Sequence, residues 1–570
     1  MKRPLENPRT GSVMPWKPWI CLAGALLGLA SQLNWLWRHG WEGRPALRLA
    51  AGLVLGWGLA WAGVRLAERL SRRPPAPALP QMGRLWASPR LRLGLVLLLV
   101  GLLAAGGIYR ATGKPVLQDQ GYLLGAVYYL WYPQNFQQGF LRPLLSPPQM
   151  PALGWYSSAD PAVAERHIAW CSRYGIGFLA LDWWPGRPGQ RRTLKRGLLR
   201  ARNLGDIKFC LFYETWDLGW DPARGGTFFD AAAGRRLQDE IEDLARWLFP
   251  HPAYLKLKGR PVIFFYLTRT LMGDYASAFR GLRRRLRRLG WEPLFIADEI
   301  YWQVLAARAP ADRGRPPLSK EPQRERLALF DGVTSYNMYL SGPPHHLGYA
   351  GASFFLSDVR AEYEKYRRAC GRQYYLVPGV IPGYNDRGTR PGQDHHVLPR
   401  RWLPGAGEGS FLARMLGQVA LPLADPALNM ILLTSFNEWN EDTALEPLAP
   451  APPTRRDQSP SGCFYSDGYA YAGYGTTYLE VVRDMTVALA GRLSDPRGRP
   501  LPGRRVCARR WYWPWSHCGT SDRQGYYNIS RLHLPPGRYR VGPVEGDQVR
   551  TVTVEAGRTT TGVDFLLGER

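Results

Sequence analysis

The hydrophobic pattern of the chain begins with long apolar stretches. Three of them lie at 18–37, 46–67 and 91–109. Each is close to the roughly 20 residues that a helix needs to cross the hydrocarbon core of a bilayer. A cleaved signal peptide would supply a single stretch of this kind. The pattern therefore predicts a membrane anchor of about three transmembrane helices over 1–112, with the lipid bilayer as a partner.

Basic residues set the expected orientation of this anchor. The second connection carries five arginines between 69 and 90, whereas the first carries only Arg38 and Arg44. Positively charged connections stay in the cytoplasm. We therefore expect a multi-pass protein of the cell membrane with its large C-terminal part on the extracytoplasmic side. If one segment were only interfacial, this orientation would invert.

From about residue 120 the pattern changes to short apolar runs that alternate with amphipathic helical segments. Near-continuous apolar runs are typical of strands that are covered on both faces. One helix is predicted to begin at Asp160–Pro161, an N-cap followed by proline. The eight strand candidates are 123–131, 175–184, 207–214, 261–267, 292–298, 332–338, 373–380 and 429–439. This alternation predicts an α/β protein with a (β/α)8 TIM-like barrel over 120–487. The alternative, an open doubly wound sheet, is weakened because no glycine-rich phosphate loop follows the first strand.

The last part of the chain, 488–570, has shorter β-rich runs separated by Gly, Pro and Asp turns. Such spacing predicts a small Ig-like or transthyretin-like β-sandwich. Cys507 and Cys518 flank an aromatic segment within it. We expect them to form a disulfide if this part lies in an oxidising compartment.

The net charge of +28, from 74 basic and 46 acidic residues, raises the question of an anionic partner. The densest basic run, Arg280 to Arg288, has leucines at helical spacing and predicts a solvated amphipathic helix. No nucleic-acid motif accompanies it, so no nucleic-acid partner is expected. The seven cysteines show no CxxC spacing, and the pairs His345–His346 and His395–His396 lie in predicted loops. We therefore expect neither a metal nor a cofactor.

Aromatic and acidic residues collect where the predicted strands end. Because barrel active sites are built at the carboxyl ends of the strands, these side chains are expected to meet. Aromatic faces beside carboxylates suit sugars, which offer apolar C–H faces and rims of hydroxyls. The residues are Tyr129, Trp131, Asp182, Trp183, Trp184, Glu214 and Tyr336. Taken singly, each aromatic residue could equally be part of the core.

The segment TSFNEWNEDTALEP, which ends the eighth strand, holds Glu438 and Glu441. Cleaving a glycosidic bond needs one carboxyl group to protonate the leaving oxygen and a second to act as base or nucleophile. Two glutamates three apart on one loop can both face a sugar, although they could also be ordinary loop acids. Many retaining glycosidases with a barrel fold carry Asn-Glu after the fourth strand and Glu after the seventh. The fourth and seventh predicted strands of this chain are followed by neither.

These motifs resemble glycoside hydrolase family 99, the endo-α-mannosidase family, over about 122–447. The resemblance rests on VYYLWY, LGWYSSADPAVAERHIAWCSRYGIGFLALDWW, KFCLFYE, HPAYLKLKGRPVIFFY, FDGVTSYN, VPGVIPGYNDRGTRP and LLTSFNEWNEDTALEP, in family order. It implies that Glu438 removes the proton of the sugar's 2-hydroxyl and that Glu441 protonates the leaving group, through a 1,2-anhydro-sugar. The resemblance also places residues near the bound sugar, and the substrate-binding set becomes Tyr129, Trp131, Asp182, Trp183, Trp184, Glu214, Tyr336, Tyr384, Arg390, Asn437 and Trp439.

Two departures put mannan specificity in doubt, because the family motif usually has His and Gly where this chain has Asn440 and Asp442. The expected function is a retaining, endo-acting glycoside hydrolase on α-mannoside-like oligo- or polysaccharides. One alternative is a glycosyl-transferring enzyme of surface polysaccharide assembly. Another is a non-catalytic glycan-binding surface protein, against which the intact glutamate pair argues. The C-terminal part resembles a carboxypeptidase regulatory-like domain, which implies no catalytic role for it.

Overall fold

Eight apolar runs form parallel strands with almost every side chain buried. The computed structural model describes residues 114, 117, 121–300, 321–339, 345, 347–393, 395–510 and 516–568. The strands are β1 (Leu123–Tyr128), β2 (Ile176–Trp183), β3 (Lys208–Tyr213), β4 (Arg260–Phe265), β5 (Leu294–Asp298), β6 (Gly332–Thr334), β7 (Tyr375–Leu376 and Gly379–Val380) and β8 (Met430–Leu433). All eight predicted strands are therefore present, most of them shorter at one or both ends than their apolar runs.

The two segments of β7 close the sheet into a ring. Tyr375–Leu376 pairs with β6, and Gly379–Val380 pairs with β8. Between them, the N–H of Val377 donates to the carbonyl of Val333 at 2.8 Å, and Leu432 donates to the carbonyl of Pro378 at 3.0 Å. Every other neighbouring pair is parallel, from β8 through β1 to β6. The prediction of a TIM-like α/β barrel is confirmed, and an open doubly wound sheet is excluded.

Helices follow the strands around the outside of the ring. They are α1 (Pro161–Tyr174), α2 (Pro188–Arg196), α3 (Ala231–Leu248), α4 (Tyr275–Arg288), α5 (Arg324–Leu327), α6 (Tyr349–Cys370), α7 (Ser410–Arg414, continued by a π-helical Met415–Ala420 and by Leu421–Leu423) and α8 (Thr477–Thr486). The predicted start of α1 is confirmed: the Asp160 carboxylate accepts from the N–H of Ala162 at 2.8 Å. The helix ends at Gly175, whose φ of 87° favours glycine.

The arginine-rich run lies on α4 as predicted. Phe279, Leu282 and Leu286 are fully buried against the barrel. On its other side, Arg285 forms ion pairs with Asp239 and Glu242 of α3. The basic run is therefore one face of an amphipathic helix, and its charge is partly balanced within the protein.

The C-terminal part forms two small sheets around its own apolar core. Its strands are β9 (Val487–Ser494), β10 (Arg505–Arg509), β11 (His517–Thr520), β12 (Tyr526–Ser530), β13 (Gly537–Pro543), β14 (Arg550–Val554) and β15 (Phe565–Leu566). The predicted disulfide joins Cys507 to Cys518 across β10 and β11. Strand β9 was not predicted, because it continues α8 without a turn residue between them.

This C-terminal module lies against the amino ends of the barrel strands. The Asn528 amide donates to the carbonyl of Ser172 at 2.8 Å, just before β2. The N–H of Tyr122, just before β1, donates to the Ser530 hydroxyl at 3.2 Å. Barrel sites lie at the opposite end, where the strands terminate. The module is thus fixed to the base of the barrel, away from the expected site.

The predicted membrane spans at 18–37, 46–67 and 91–109 lie outside the described residues. Within the part of the chain that is described, no helix is both long enough and apolar enough to span a bilayer.

Candidate active site

The two predicted glutamates lie in the loop that leaves β8, residues 434–446, which we call the carboxylate loop. The N–H of Glu438 donates to the Ser435 hydroxyl at 2.7 Å, and the N–H of Asn440 donates to the Glu438 carboxylate at 2.8 Å. These bonds turn the loop back over the end of β8. Glu438 is buried, and its Oε2 has no hydrogen-bond partner. Glu441 is partly exposed.

Three tyrosines from the ends of other strands surround Glu441. The hydroxyl of Tyr336, after β6, lies 3.4 Å from Glu441 Oε2, and that of Tyr384, after β7, lies 3.5 Å from Oε1. Tyr129, at the end of β1, has its hydroxyl 2.5 Å from that of Tyr336. Its ring stacks on Trp131, with centroids 4.3 Å apart. The barrel therefore brings these predicted residues together as expected for strand-end positions.

A second carboxyl pair, Asp182 and Glu214, follows β2 and β3. The two strands are neighbours in the sheet, and the carboxyl groups of Asp182 and Glu214 lie close enough for each to shift the pKa of the other. Asp182 also accepts from the indole N–H of Trp184 at 2.5 Å. One oxygen of each carboxyl group, Asp182 Oδ1 and Glu214 Oε2, is buried without a further partner. The pair Asp182 and Glu214 interacts electrostatically with the pair Glu438 and Glu441, because the charge of Glu441 raises the pKa of Asp182.

Burial raises the pKa of every carboxyl group in this cluster. The pKa of Glu441 rises to about 7, although the guanidinium of Arg390 opposes the rise. Burial and the neighbouring Glu441 raise the pKa of Glu438 well above its usual range. Burial raises the pKa of Asp182 to about 7, and burial together with Asp182 raises the pKa of Glu214 well above its usual range. The site can therefore hold and exchange protons near neutral pH, as acid–base chemistry requires.

Arg390 is held beside Glu441 by Asp386, which the sequence did not single out. The buried Asp386 carboxylate forms an ion pair with Arg390 and accepts from the hydroxyl of Tyr384 at 3.0 Å. The Nδ1 of His395 lies 2.9 Å from the same carboxylate. Asp386 therefore orients two groups that face Glu441. Asp386 lies within the segment VPGVIPGYNDRGTRP, one of the segments that resemble glycoside hydrolase family 99.

Three predicted substrate-binding residues do not face the carboxyl cluster. Trp183 points outward, where its indole donates to Glu240 of α3 at 3.0 Å, because successive side chains of a strand alternate and Asp182 points inward. Trp439 is fully buried and donates to Glu446 at 3.1 Å. The Asn437 amide is bonded to the backbone of Tyr129 through both its oxygen and its nitrogen. These contacts place the three side chains in the support of the loops around the carboxyl groups, and their roles in binding sugar stay predictions.

Metal ligation was not expected from the sequence. Among the residues that the structure describes, no group of His, Cys, Asp and Glu side chains has an arrangement that could hold a metal ion. His345 lies against Asp358 at 3.2 Å and His395 against Asp386, so both imidazoles are engaged by carboxylates.

Fold and site together define a (β/α)8 protein with two carboxyl pairs at the carboxyl ends of its strands. The chain belongs to the family described as "Glycosyltransferase WbsX", whose sequence pattern matches residues 145–451.

The relatives of the chain include an uncharacterised bacterial protein and animal endo-α-1,2-mannosidases. The "Uncharacterized protein WxcX" of Xanthomonas campestris pv. campestris (strain B100) is 26% identical over 319 residues, which is 53% of this chain and 41% of that protein. The "Glycoprotein endo-alpha-1,2-mannosidase" of Mus musculus is 24% identical over 382 residues, 59% of this chain and 70% of that protein. The chain thus spans less than half the length of WxcX.

Solved structures that resemble the chain include a "Glycoside hydrolase-like protein", with a TM-score of 0.48 and 19% identity over 65% of this chain and 96% of that one. The GH99 endo-α-mannosidase from Bacteroides thetaiotaomicron gives a TM-score of 0.43 and 18% identity, over 64% of this chain and 97% of that one.

Proposed function

We propose that this protein is a retaining, endo-acting glycoside hydrolase of α-mannoside-like glycans. The observation that carries the proposal is the pair Glu438 and Glu441, enclosed on one loop at the barrel mouth among tyrosine hydroxyls. Sequence similarity to endo-α-1,2-mannosidases over more than half of the chain supports the sugar class.

The reaction we infer proceeds in two steps, with the glutamate roles that the family resemblance implies. In the first, Glu438 takes the proton of the 2-hydroxyl, O2 attacks C1, and the C1–oxygen bond to the leaving sugar breaks as Glu441 protonates that oxygen. The product is a 1,2-anhydro-sugar. In the second, Glu441 takes a proton from water, the water oxygen attacks C1 as the C1–O2 bond of the anhydro ring breaks, and Glu438 returns its proton to O2. Two inversions at C1 give net retention.

The surroundings of Glu441 support its role as the acid. Burial raises its pKa to about 7, close to the pH at which an acid catalyst is most effective. The hydroxyls of Tyr336 and Tyr384 restrict the orientation of its carboxyl group. The pair Asp182 and Glu214 offers buried acceptors for sugar hydroxyls on the neighbouring side of the cavity.

The free site favours a resting proton on Glu438, since burial and Glu441 raise the pKa of Glu438 well above its usual range. A base must be ionised, so the inferred roles require Glu438 to lose that proton before the first step. The reverse assignment, with Glu438 as acid and Glu441 as base, is chemically complete as well. A substrate with a good leaving group separates the two assignments, because it makes the acid dispensable.

We therefore expect Glu438→Gln and Glu441→Gln each to lower turnover about 100-fold or more. An aryl α-mannoside with a good leaving group should partly restore Glu441→Gln and leave Glu438→Gln inactive. If this substrate restores the turnover of Glu438→Gln instead, Glu438 is the acid and Glu441 is the base. Glu165→Gln, at an exposed ion pair with Arg202, is the matched control. Near-normal turnover in both active-site variants would overturn the proposal.

A second candidate is glycosyl transfer in surface polysaccharide assembly, which the family description "Glycosyltransferase WbsX" favours. The same two glutamates would serve, and a sugar hydroxyl would replace water in the second step. Incubation with a labelled donor glycan and a sugar acceptor distinguishes the two: shortened, reducing products indicate hydrolysis, whereas an elongated acceptor indicates transfer.

The proposed location is the extracytoplasmic side of the cell membrane, with the chain anchored by its N-terminal apolar segments. Cys463 is an exposed free thiol in the catalytic part, whereas Cys171, Cys210 and Cys370 are buried. A membrane-impermeant maleimide should label Cys463 in spheroplasts, and Cys463→Ser should abolish that signal. Labelling that appears only after lysis would contradict this orientation.

A further inference from the structure

Two tryptophans stack at the exit of β3, immediately beyond Glu214. The rings of Trp216 and Trp220 are almost parallel, inclined by 6° with centroids 3.8 Å apart. Trp220 belongs to a hairpin, Trp220–Asp221 with Gly226–Phe229, which is extended by the strand Leu271–Gly273 after β4. The stack is thus braced by a small sheet, yet Trp216 remains 37% exposed.

A rim of polar groups connects this stack to the carboxyl cluster. Asp217 follows Trp216, and its carboxylate lies 3.9 Å from the guanidinium of Arg187. Arg187 lies 4.2 Å over the ring of Trp184, whose indole is bonded to Asp182. Both members of the Arg187–Asp217 pair are partly exposed. The contacts therefore run from Asp182 through the ring of Trp184 and the Arg187–Asp217 pair to the residue next to Trp216.

This combination is suited to a pyranose ring. An indole held flat offers an apolar face for the C–H groups of a sugar, and the polar groups at its edge offer hydrogen bonds to the hydroxyls. Rigid support lowers the entropy cost of binding, because the ring is already held in place.

We propose that Trp216, backed by Trp220 and flanked by Arg187 and Asp217, forms an outer subsite for a sugar unit beyond the bond that is cleaved. This inference rests on the proposed function, which it deepens. It assigns a chain of several linked sugars as the substrate, running from the glutamate pair past Asp182 and Glu214 to the tryptophan stack.

Binding at different chain lengths tests the subsite. The full chain, purified in detergent and carrying Glu438→Gln to prevent turnover, is titrated calorimetrically with α-linked manno-oligosaccharides of increasing length. Affinity should rise with length until the outer subsite is filled. Adding Trp216→Ala should lower the affinity for the long members about tenfold, as is typical for truncating a tryptophan at a contact. The affinity for the shortest member should stay the same, and Trp216→Phe should retain most of the gain with length.

Phe228→Ala is the matched control. Phe228 is an exposed aromatic residue of the same hairpin, but its neighbour Thr227 is the pairing partner of Trp220, so Phe228 lies on the other face. This variant should bind all lengths as the parent does. Equal loss for short and long members in Trp216→Ala, or no loss at all, would overturn the subsite while the proposed function stands. If no member binds, the proposed function fails and the subsite fails with it.

Discussion

Arg142 and Asp442, a residue of the carboxylate loop, form a buried, two-point ion pair, with Nε–Oδ1 at 2.6 Å and Nη2–Oδ2 at 3.2 Å. Arg400 adds a third contact at 3.2 Å. Asp442 has a φ of +49°, in the left-handed region that favours glycine. The motif of glycoside hydrolase family 99, which this segment resembles, usually has glycine there. Asp442 therefore combines an unfavourable backbone conformation with a buried ion pair.

Asp442→Gly should relieve that conformation but destabilise the protein, because it leaves the fully buried Arg142 without its carboxylate partner. Breaking a buried pair costs about 3–5 kcal/mol, which exceeds the local relief. The free energy of unfolding, measured by urea denaturation, should fall by most of this amount. Glu165→Gln, at the exposed pair with Arg202, should change it by less than about 1 kcal/mol. Unchanged stability of Asp442→Gly would refute this account.

The charges around Glu441 predict opposite shifts in the pH dependence of turnover. Burial raises the pKa of Glu441 to about 7, the guanidinium of Arg390 lowers it, and the carboxylate of Asp386 raises it. If Glu441 is the acid, its pKa sets the alkaline limb of the profile. Asp386→Asn, which keeps the shape and removes the charge, should move that limb to lower pH. Arg390→Gln should move it to higher pH. A profile that moves in the same direction for both variants would show that another group sets this limb.

The barrel could be predicted from the sequence because each strand is buried on both faces, which leaves continuous apolar runs such as that of β8. The glutamate pair was visible because both residues lie on one short loop. A strand end holds adjacent residues that point in opposite directions, so of Asp182 and Trp183 only Asp182 faces the barrel interior, and the sugar-binding roles stay predictions. Simple alternation along β2 would have separated them.

The residues that hold the site in place could not be predicted from a single sequence. Arg142 and Asp442 are 300 residues apart, and no local pattern marks either as the partner of the other. No local pattern marks the partners of Glu446 either. It accepts hydrogen bonds from Tyr156 and Trp439 and contacts His167. Such pairs are determined by barrel closure, since it brings the loop after β1 beside the loop after β8.

The buried Asp182 carboxyl group predicts a loss of stability as pH rises. Burial raises its folded-state pKa from 3.8 to about 7, so the folded protein binds this proton more tightly than the unfolded chain does. The loss of stability caused by ionising Asp182 is absent below the pKa of the unfolded chain. It is complete above the pKa of the folded protein. The melting temperature of Asp182→Asn relative to the natural protein should therefore be higher at pH 8 than at pH 5. Asp239→Asn, at an exposed carboxyl group, is the control variant, and a melting-temperature difference for Asp182→Asn that does not change with pH would contradict the prediction.

Removing the C-terminal module after Thr486 should lower stability without lowering turnover on a small substrate. The module contacts the barrel only at its base in the part of the chain that the structure describes, for example through Asn528 with Ser172 and through Ser530 with Tyr122. Each such hydrogen bond contributes about 1 kcal/mol, so the melting temperature should fall by several degrees. The glutamate pair lies at the other end of the strands, and turnover per folded molecule should persist. Thermal unfolding and turnover number, measured on the same preparation, check both parts. A truncated protein that is folded and soluble but inactive would show that the module acts on the site through the barrel.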